Sequence, residues 1–226
     1  MIISVSGIVG SGKTTVASRG ARILRNSGLE VSVLRFQSLP CFRLLPSSLN
    51  ARAKPPDVNP GKGERKVRRA NYRQKRLGIW RTGLYVARAL AFRAYSVMLP
   101  RTRVHILNRY FYDLFTHYRF EGAVERACGR ILQAAIPVPD LALLVVAQPA
   151  TIAARRPRFS SEYLSAVGEG YRRLPQRFPE LVEFSTDPTG DVEDLEVLIL
   201  TAIRDLGQLT PNSLHSRREP GRGAQP

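Results

Sequence analysis

The chain has 226 residues, with 35 Lys and Arg against 18 Asp and Glu, a formal charge of +17. That length suits one domain of about 200 residues with a sizeable core. Two cysteines, Cys41 and Cys128, exclude a disulfide framework and a cysteine-based metal site.

The first element in chain order is an apolar run, "IISVS" (2–6), followed at once by "GIVGSGKTT" (7–15). A tight turn needs one glycine, and here there are three. The spacing Gly7-x-x-x-x-Gly12-Lys13-Thr14 fits the phosphate-loop pattern without mismatch. In such a loop the backbone N–H groups of Gly7, Gly10, Ser11, Gly12, Lys13, Thr14 and Thr15 curl around an anion. The helix that follows adds the positive end of its dipole. Lys13 is expected to reach the β- and γ-phosphates of ATP, and the Thr14 hydroxyl to hold Mg²⁺. The required strand–loop–helix context is present, because "TTVASRGARILRNSG" is helix-patterned and Gly28 stands where a C′ glycine closes a helix.

The next β-type runs are 30–36, 103–107, 141–147 and 181–185, with helical patterns at 13–27, 75–99, 121–135, 160–174 and 191–207. Strands alternating with helices predict an α/β layer fold. The nearly continuous apolar runs predict a parallel sheet covered on both faces. Between the second and third strands, 40–76 is rich in proline, glycine and basic residues and reads as a long mobile insertion. One domain over 1–207 and a basic, disordered tail over 208–226 complete the expected organisation.

The positive charge predicts anionic partners, but no helix-turn-helix, zinc-finger or RNA-recognition signature accompanies it, so nucleic acid is not expected as the main ligand. In "LGIWRTGLYVARALAFRAYSVML" (77–99) Arg81, Arg88 and Arg93 interrupt the apolar residues, so no membrane span is predicted. A buried or half-buried helix is expected there, with a membrane-surface helix continuing the basic insertion as the alternative. The apolar start lacks a basic n-region, and with few cysteines a reduced, cytoplasmic setting is expected.

The stretch "VHILNRYFYDLF" (104–115) separates one phosphate-loop class from another. Here the chain resembles the thymidylate kinase family of nucleoside monophosphate kinases, whose third-strand motif is of the Asp-Arg-Tyr-x-Tyr-Asp kind. In this chain it reads Asn108, Arg109, Tyr110, Phe111, Tyr112, Asp113. Residues 139–174 resemble the family's fourth strand and arginine-bearing lid, and "LVEFSTD" (181–187) its adenine-binding end. The resemblance implies a five-stranded parallel sheet in order 2-3-1-4-5, transfer of the ATP γ-phosphate to a nucleoside monophosphate, and a homodimer as one assembly. It implies that Arg35 and Arg109 clamp the acceptor phosphate and that Arg155, Arg156 and Arg158 close over the donor. The flat rings of Tyr110, Phe111 and Tyr112 suit either stacking on an acceptor base or core packing at the sheet edge, and both readings stay open.

Two departures from the pattern bear on chemistry. Asn108 stands where the family has an aspartate near the Mg²⁺, and Asp113 is expected to compensate. The acidic-glycine stretch after the second strand is replaced by "RFQSLPCF". Three readings therefore stay open: a kinase of a phosphorylated acceptor, a kinase of a nucleoside or sugar, and a nucleotide-binding regulator with weakened catalysis. His105 and His117 have no partner spacing for a metal or a catalytic dyad and read as structural.

Overall fold

Apolar residues at alternate positions decide which way each central strand faces. In β1 (Ile2–Gly7), Ile3 and Val5 point to one side and Ser4 and Ser6 to the other, all buried. The same holds for β4 (Arg103–Asn108) and β6 (Leu141–Val146), whose middles are buried throughout. The computed structural model describes residues 1–42, 75–156, 161–187 and 192–205. Residues 43–74, most of the expected insertion, lie outside that set, as do Arg158 and the tail from 208.

With β2 (Glu30–Arg35) and β7 (Leu181–Ser185), these strands form a five-stranded, wholly parallel sheet in the order β2-β4-β1-β6-β7. Counting the five in chain order gives the expected 2-3-1-4-5. Both edge strands are half exposed, so burial on both faces holds only for the central three. Their sequences, "EVSVLR" and "LVEFS", already carry the polar alternation of an edge.

Two helical layers cover the sheet. On one face α1 (Lys13–Asn26) and α8 (Val192–Asp205) bring Val16, Leu24, Leu195 and Ile199 against Ile3, Val5, Ile106 and Leu143. On the other, α2 (Ile79–Met98), α4 (Ala123–Ala135) and α6 (Ser161–Arg172) enclose an aromatic core. Phe36, Phe42, Phe92, Tyr110 and Phe111 meet there mostly edge to face, with ring centres 4.6–6.5 Å apart.

The helical patterns at 13–27, 121–135 and 191–207 match α1, α4 and α8 within a few residues. The pattern at 75–99 does not begin as a helix, because Lys75–Arg76 (β3) pairs in parallel with Tyr118–Arg119 (β5) before α2 starts at Ile79. The pattern at 160–174 divides into α6 and α7 (Leu174–Arg177), whose proline near the N-terminus favours starting a helix over continuing one. Two short helices were not expected: α3 (Tyr112–Phe115) and α5 (Pro149–Arg155).

Parallel pairing aligns the strand ends. Arg35 is in register with Asn108, Asn108 with Val5, and Gly7 with Val145. The C-terminal edge thus gathers Gly7, Arg35 and Asn108, where open α/β sheets receive ligands.

Candidate phosphate site at the carboxyl edge of the sheet

The chain leaves β1 at Gly7 and enters α1 at Lys13 through a loop that only glycine fits at three places. Gly7, Gly10 and Gly12 have φ of 145°, 94° and 90°, a region L side chains rarely adopt. Space is short as well. A Cβ on Gly7 would lie 2.3 Å from the Val145 carbonyl oxygen, one on Gly10 2.9 Å from Ile152 Cγ2, and one on Gly12 3.3 Å from Thr186. No side chain caps α1, and its first turn holds no acidic residue, so its leading N–H groups face the loop without a side-chain acceptor.

Lys13 is buried beneath this loop, and its ammonium donates to the Ile8 carbonyl. Burial pushes its pKa down to about 8; Asp113 pulls it back up, and Arg109 pushes it further down. Ser11 is fully buried, and its hydroxyl has no hydrogen-bond partner. Thr14 is exposed at the head of α1, where its Oγ1 accepts a 3.4 Å hydrogen bond from the Asn108 amide.

Asp113 joins three parts of the site. Its Oδ1 accepts from the Tyr171 hydroxyl at 3.0 Å and from the Gly7 N–H at 3.5 Å, and its Oδ2 pairs with Arg109 at 3.3 Å. The carboxylate is therefore committed to the loop, to Arg109 and to α6, which gives the expected metal role at Asp113 no support. Arg109 adopts φ 75°, the one positive value among the described residues other than glycine. That turn directs its side chain beneath the loop. Burial opposes the Arg109 charge, but Asp113 and Tyr171 together outweigh it and hold the pKa above its ordinary value.

On the far side of the loop, the Thr186 hydroxyl donates to the Ser11 carbonyl at 2.6 Å and accepts from Arg155 at 3.1 Å. A second Arg155 nitrogen donates to the Thr186 carbonyl at 2.8 Å. The stem of Arg156 approaches Gly10. Next in the chain, Asp187 accepts from the Gln148 N–H and the Thr151 and Ser185 hydroxyls, which hold its carboxyl below the usual range, the Gln148 bond contributing most.

The expected residues thus divide. Gly7, Gly10, Gly12, Lys13, Thr14, Arg109, Arg155 and Arg156 converge on the loop. Arg35 is exposed at the end of β2 and meets no carboxylate among the described residues. For Tyr110 and Tyr112 the structure favours core packing over stacking: both are buried, and their hydroxyls donate to the Pro137 carbonyl at 2.6 Å and to Glu180 at 3.0 Å. Their rings fill the aromatic core and offer no face to a base. Burial also holds both phenols well above the usual range.

Sequence reasoning passed over Tyr171, Thr186 and Asp187 as individual residues. For the last two, the polar cluster Ser-Thr-Asp at the end of a strand was an available signal; for Tyr171 there was none, because it is the last residue but one of an ordinary amphipathic helix.

No protein-family model and no curated protein matches this chain. The assignment rests on its own residues.

Proposed function

We propose that the chain is an ATP-dependent phosphotransferase with a phosphate-loop fold, acting on a nucleoside monophosphate or a related small phosphorylated acceptor. The observation that carries this reading is the loop itself. Three glycines hold positive φ between β1 and α1, an uncapped helix end faces the concavity, and a buried lysine whose charge is poorly solvated stands beneath it. A triphosphate would supply counter-charge to the buried Lys13 ammonium, which would then exchange the Ile8 carbonyl for the β- and γ-phosphates.

Phosphoryl transfer asks the protein mainly to position groups and neutralise charge. Arg155 and Arg156 stand beside the loop on the β6–β7 side, where they stabilise charge on the transferred group. Arg35 and Arg109 end neighbouring strands on the other side, and two arginines there suit an acceptor that is itself anionic. Thr14 is the residue that would hold Mg²⁺, which when bound would neutralise charge on the phosphates. With Asn108 neutral and Asp113 committed to other partners, the protein would offer the ion little charge of its own. Among the described residues no cluster of three His, Cys, Asp or Glu side chains offers another metal site.

The hydrogen bond from Asn108 to Thr14 favours a second reading, a nucleotide-binding regulator with weakened turnover, because it occupies the metal-facing hydroxyl without adding charge. One experiment separates the two. ADP release is measured against a panel of nucleoside monophosphates, nucleosides and sugars. The kinase reading expects turnover with a phosphorylated acceptor. Turnover only with nucleosides or sugars moves the assignment to that class. ATP binding with no turnover on any acceptor leaves the regulator.

A further inference from the structure

The outer face of α2 takes no part in the site above. The helix packs through Thr82, Tyr85, Arg88, Ala89 and Phe92, all buried. On the opposite side Trp80, Gly83, Ala87, Leu90, Ala94 and Val97 recur three or four residues apart, and all are exposed. Trp80 is 92% exposed and Val97 71%, and Met98 at the helix end is 82% exposed. The row runs most of a 20-residue helix, about 30 Å, without a charged residue. A contiguous apolar face of this kind marks a docking surface.

Along its own segment the charge has one sign. Residues 75–112 contain Lys75 and seven arginines, and no Asp or Glu. Arg81, Arg93 and Arg101 are exposed around the row, and the Arg76 side chain is 89% exposed with only a 3.9 Å approach to Glu125.

We propose that this face docks on an anionic lipid surface, with the apolar row among the acyl chains and the arginines among the headgroups. No described helix is long and apolar enough to cross a membrane, so α2 lies along the surface and does not span it. A second copy of the chain fits less well, because two such faces would bring their arginine rims together with no carboxylate in 75–112 to answer them. Nucleic acid suits the arginines but leaves the apolar row in water.

Trp80 is the only tryptophan in the chain, so intrinsic fluorescence reports on this face alone. The probe is vesicles of equimolar phosphatidylcholine and phosphatidylglycerol, compared with phosphatidylcholine alone, using flotation and Trp80 emission. The expected result is co-flotation with a blue-shifted emission on the anionic vesicles, and binding about tenfold weaker on the neutral ones. Leu90→Glu, on the exposed side, should weaken anionic binding by roughly tenfold or more while the melting temperature stays at the wild-type value. Four outcomes overturn the proposal. Protein left in solution with unshifted emission would remove the lipid contact altogether. Anionic binding that Leu90→Glu leaves intact would place the contact elsewhere. A blue shift that grows with protein concentration in lipid-free buffer would identify a second copy as the occupant. A Trp80 response to a DNA oligonucleotide but not to vesicles would identify nucleic acid.

Discussion

The two flanks of the phosphate loop are built differently. Toward β6 and β7, Thr186 ties Ser11 to Arg155, and Asp187 gathers Gln148, Thr151 and Ser185, so the polar groups near the loop are largely paired with one another. Toward β2 and β4, Arg35 stands exposed, Asn108 brings no charge, and Arg109 is held by Asp113 and not by an acceptor. The first flank is a finished scaffold. The second keeps Arg35 without a carboxylate partner among the described residues. The comparison teaches that the proposed nucleotide end is legible from hydrogen bonds, while the proposed acceptor end is legible only from charge.

The largest expected effect lies where the flanks meet. Lys13→Ala should weaken binding of a fluorescent ATP analogue by about a hundredfold or more, since it removes a desolvated charge-assisted contact. Wild-type binding should also fall as pH rises through about 8, where Lys13 loses its proton. Equal binding by the variant, or a flat profile to pH 10, would break the loop's role on both flanks.

Next is Asp113→Asn. It leaves Arg109 unpaired and weakens the anchor to Gly7 and Tyr171, so unfolding free energy should drop by about 2–3 kcal/mol, read by urea denaturation. A loss under about half a kcal/mol would show that the network adds little to the folded state.

Smaller is Asn108→Asp, which restores a carboxylate beside Thr14. The Mg²⁺ concentration for half-maximal rate should fall, by no more than about 1.5–3 kcal/mol of binding free energy. An unchanged Mg²⁺ dependence would remove the metal from the end of β4. The smallest effect is expected on the finished flank. Thr186→Val removes one hydroxyl from a multiply bonded web, so nucleotide affinity should weaken by about 1 kcal/mol, read by titration calorimetry. A much larger loss would mean that the flank holds the loop's shape.

Much of this architecture was legible in the sequence because its signals are local. The loop pattern, the five apolar runs and Gly28, which closes α1 at φ 83°, each depend on residues near one another in the chain. What escaped depends on distant partners. Asp113 suggested a metal ligand when read beside Asn108, but Tyr171, 58 residues away, shares its Oδ1 with the Gly7 N–H, and Arg109 holds its Oδ2. Tyr110 and Tyr112 suggested stacking platforms, since nothing near them in sequence shows that Phe36, Phe92 and Phe178 enclose them. The β3–β5 pair escaped because a two-residue strand has no period to read.

The contact between Gly7 and Val145 has a consequence for how this chain drifts under mutation. Position 7 is closed to every larger residue by a neighbouring backbone oxygen, whether or not a nucleotide ever binds. Its glycine is therefore a record of architecture, retained by any descendant that still folds. Thr14 is exposed and its hydroxyl meets the Asn108 amide at 3.4 Å, so architecture constrains it far less than it constrains Gly7. In a lineage losing its activity, position 14 would be among the first to vary and position 7 among the last.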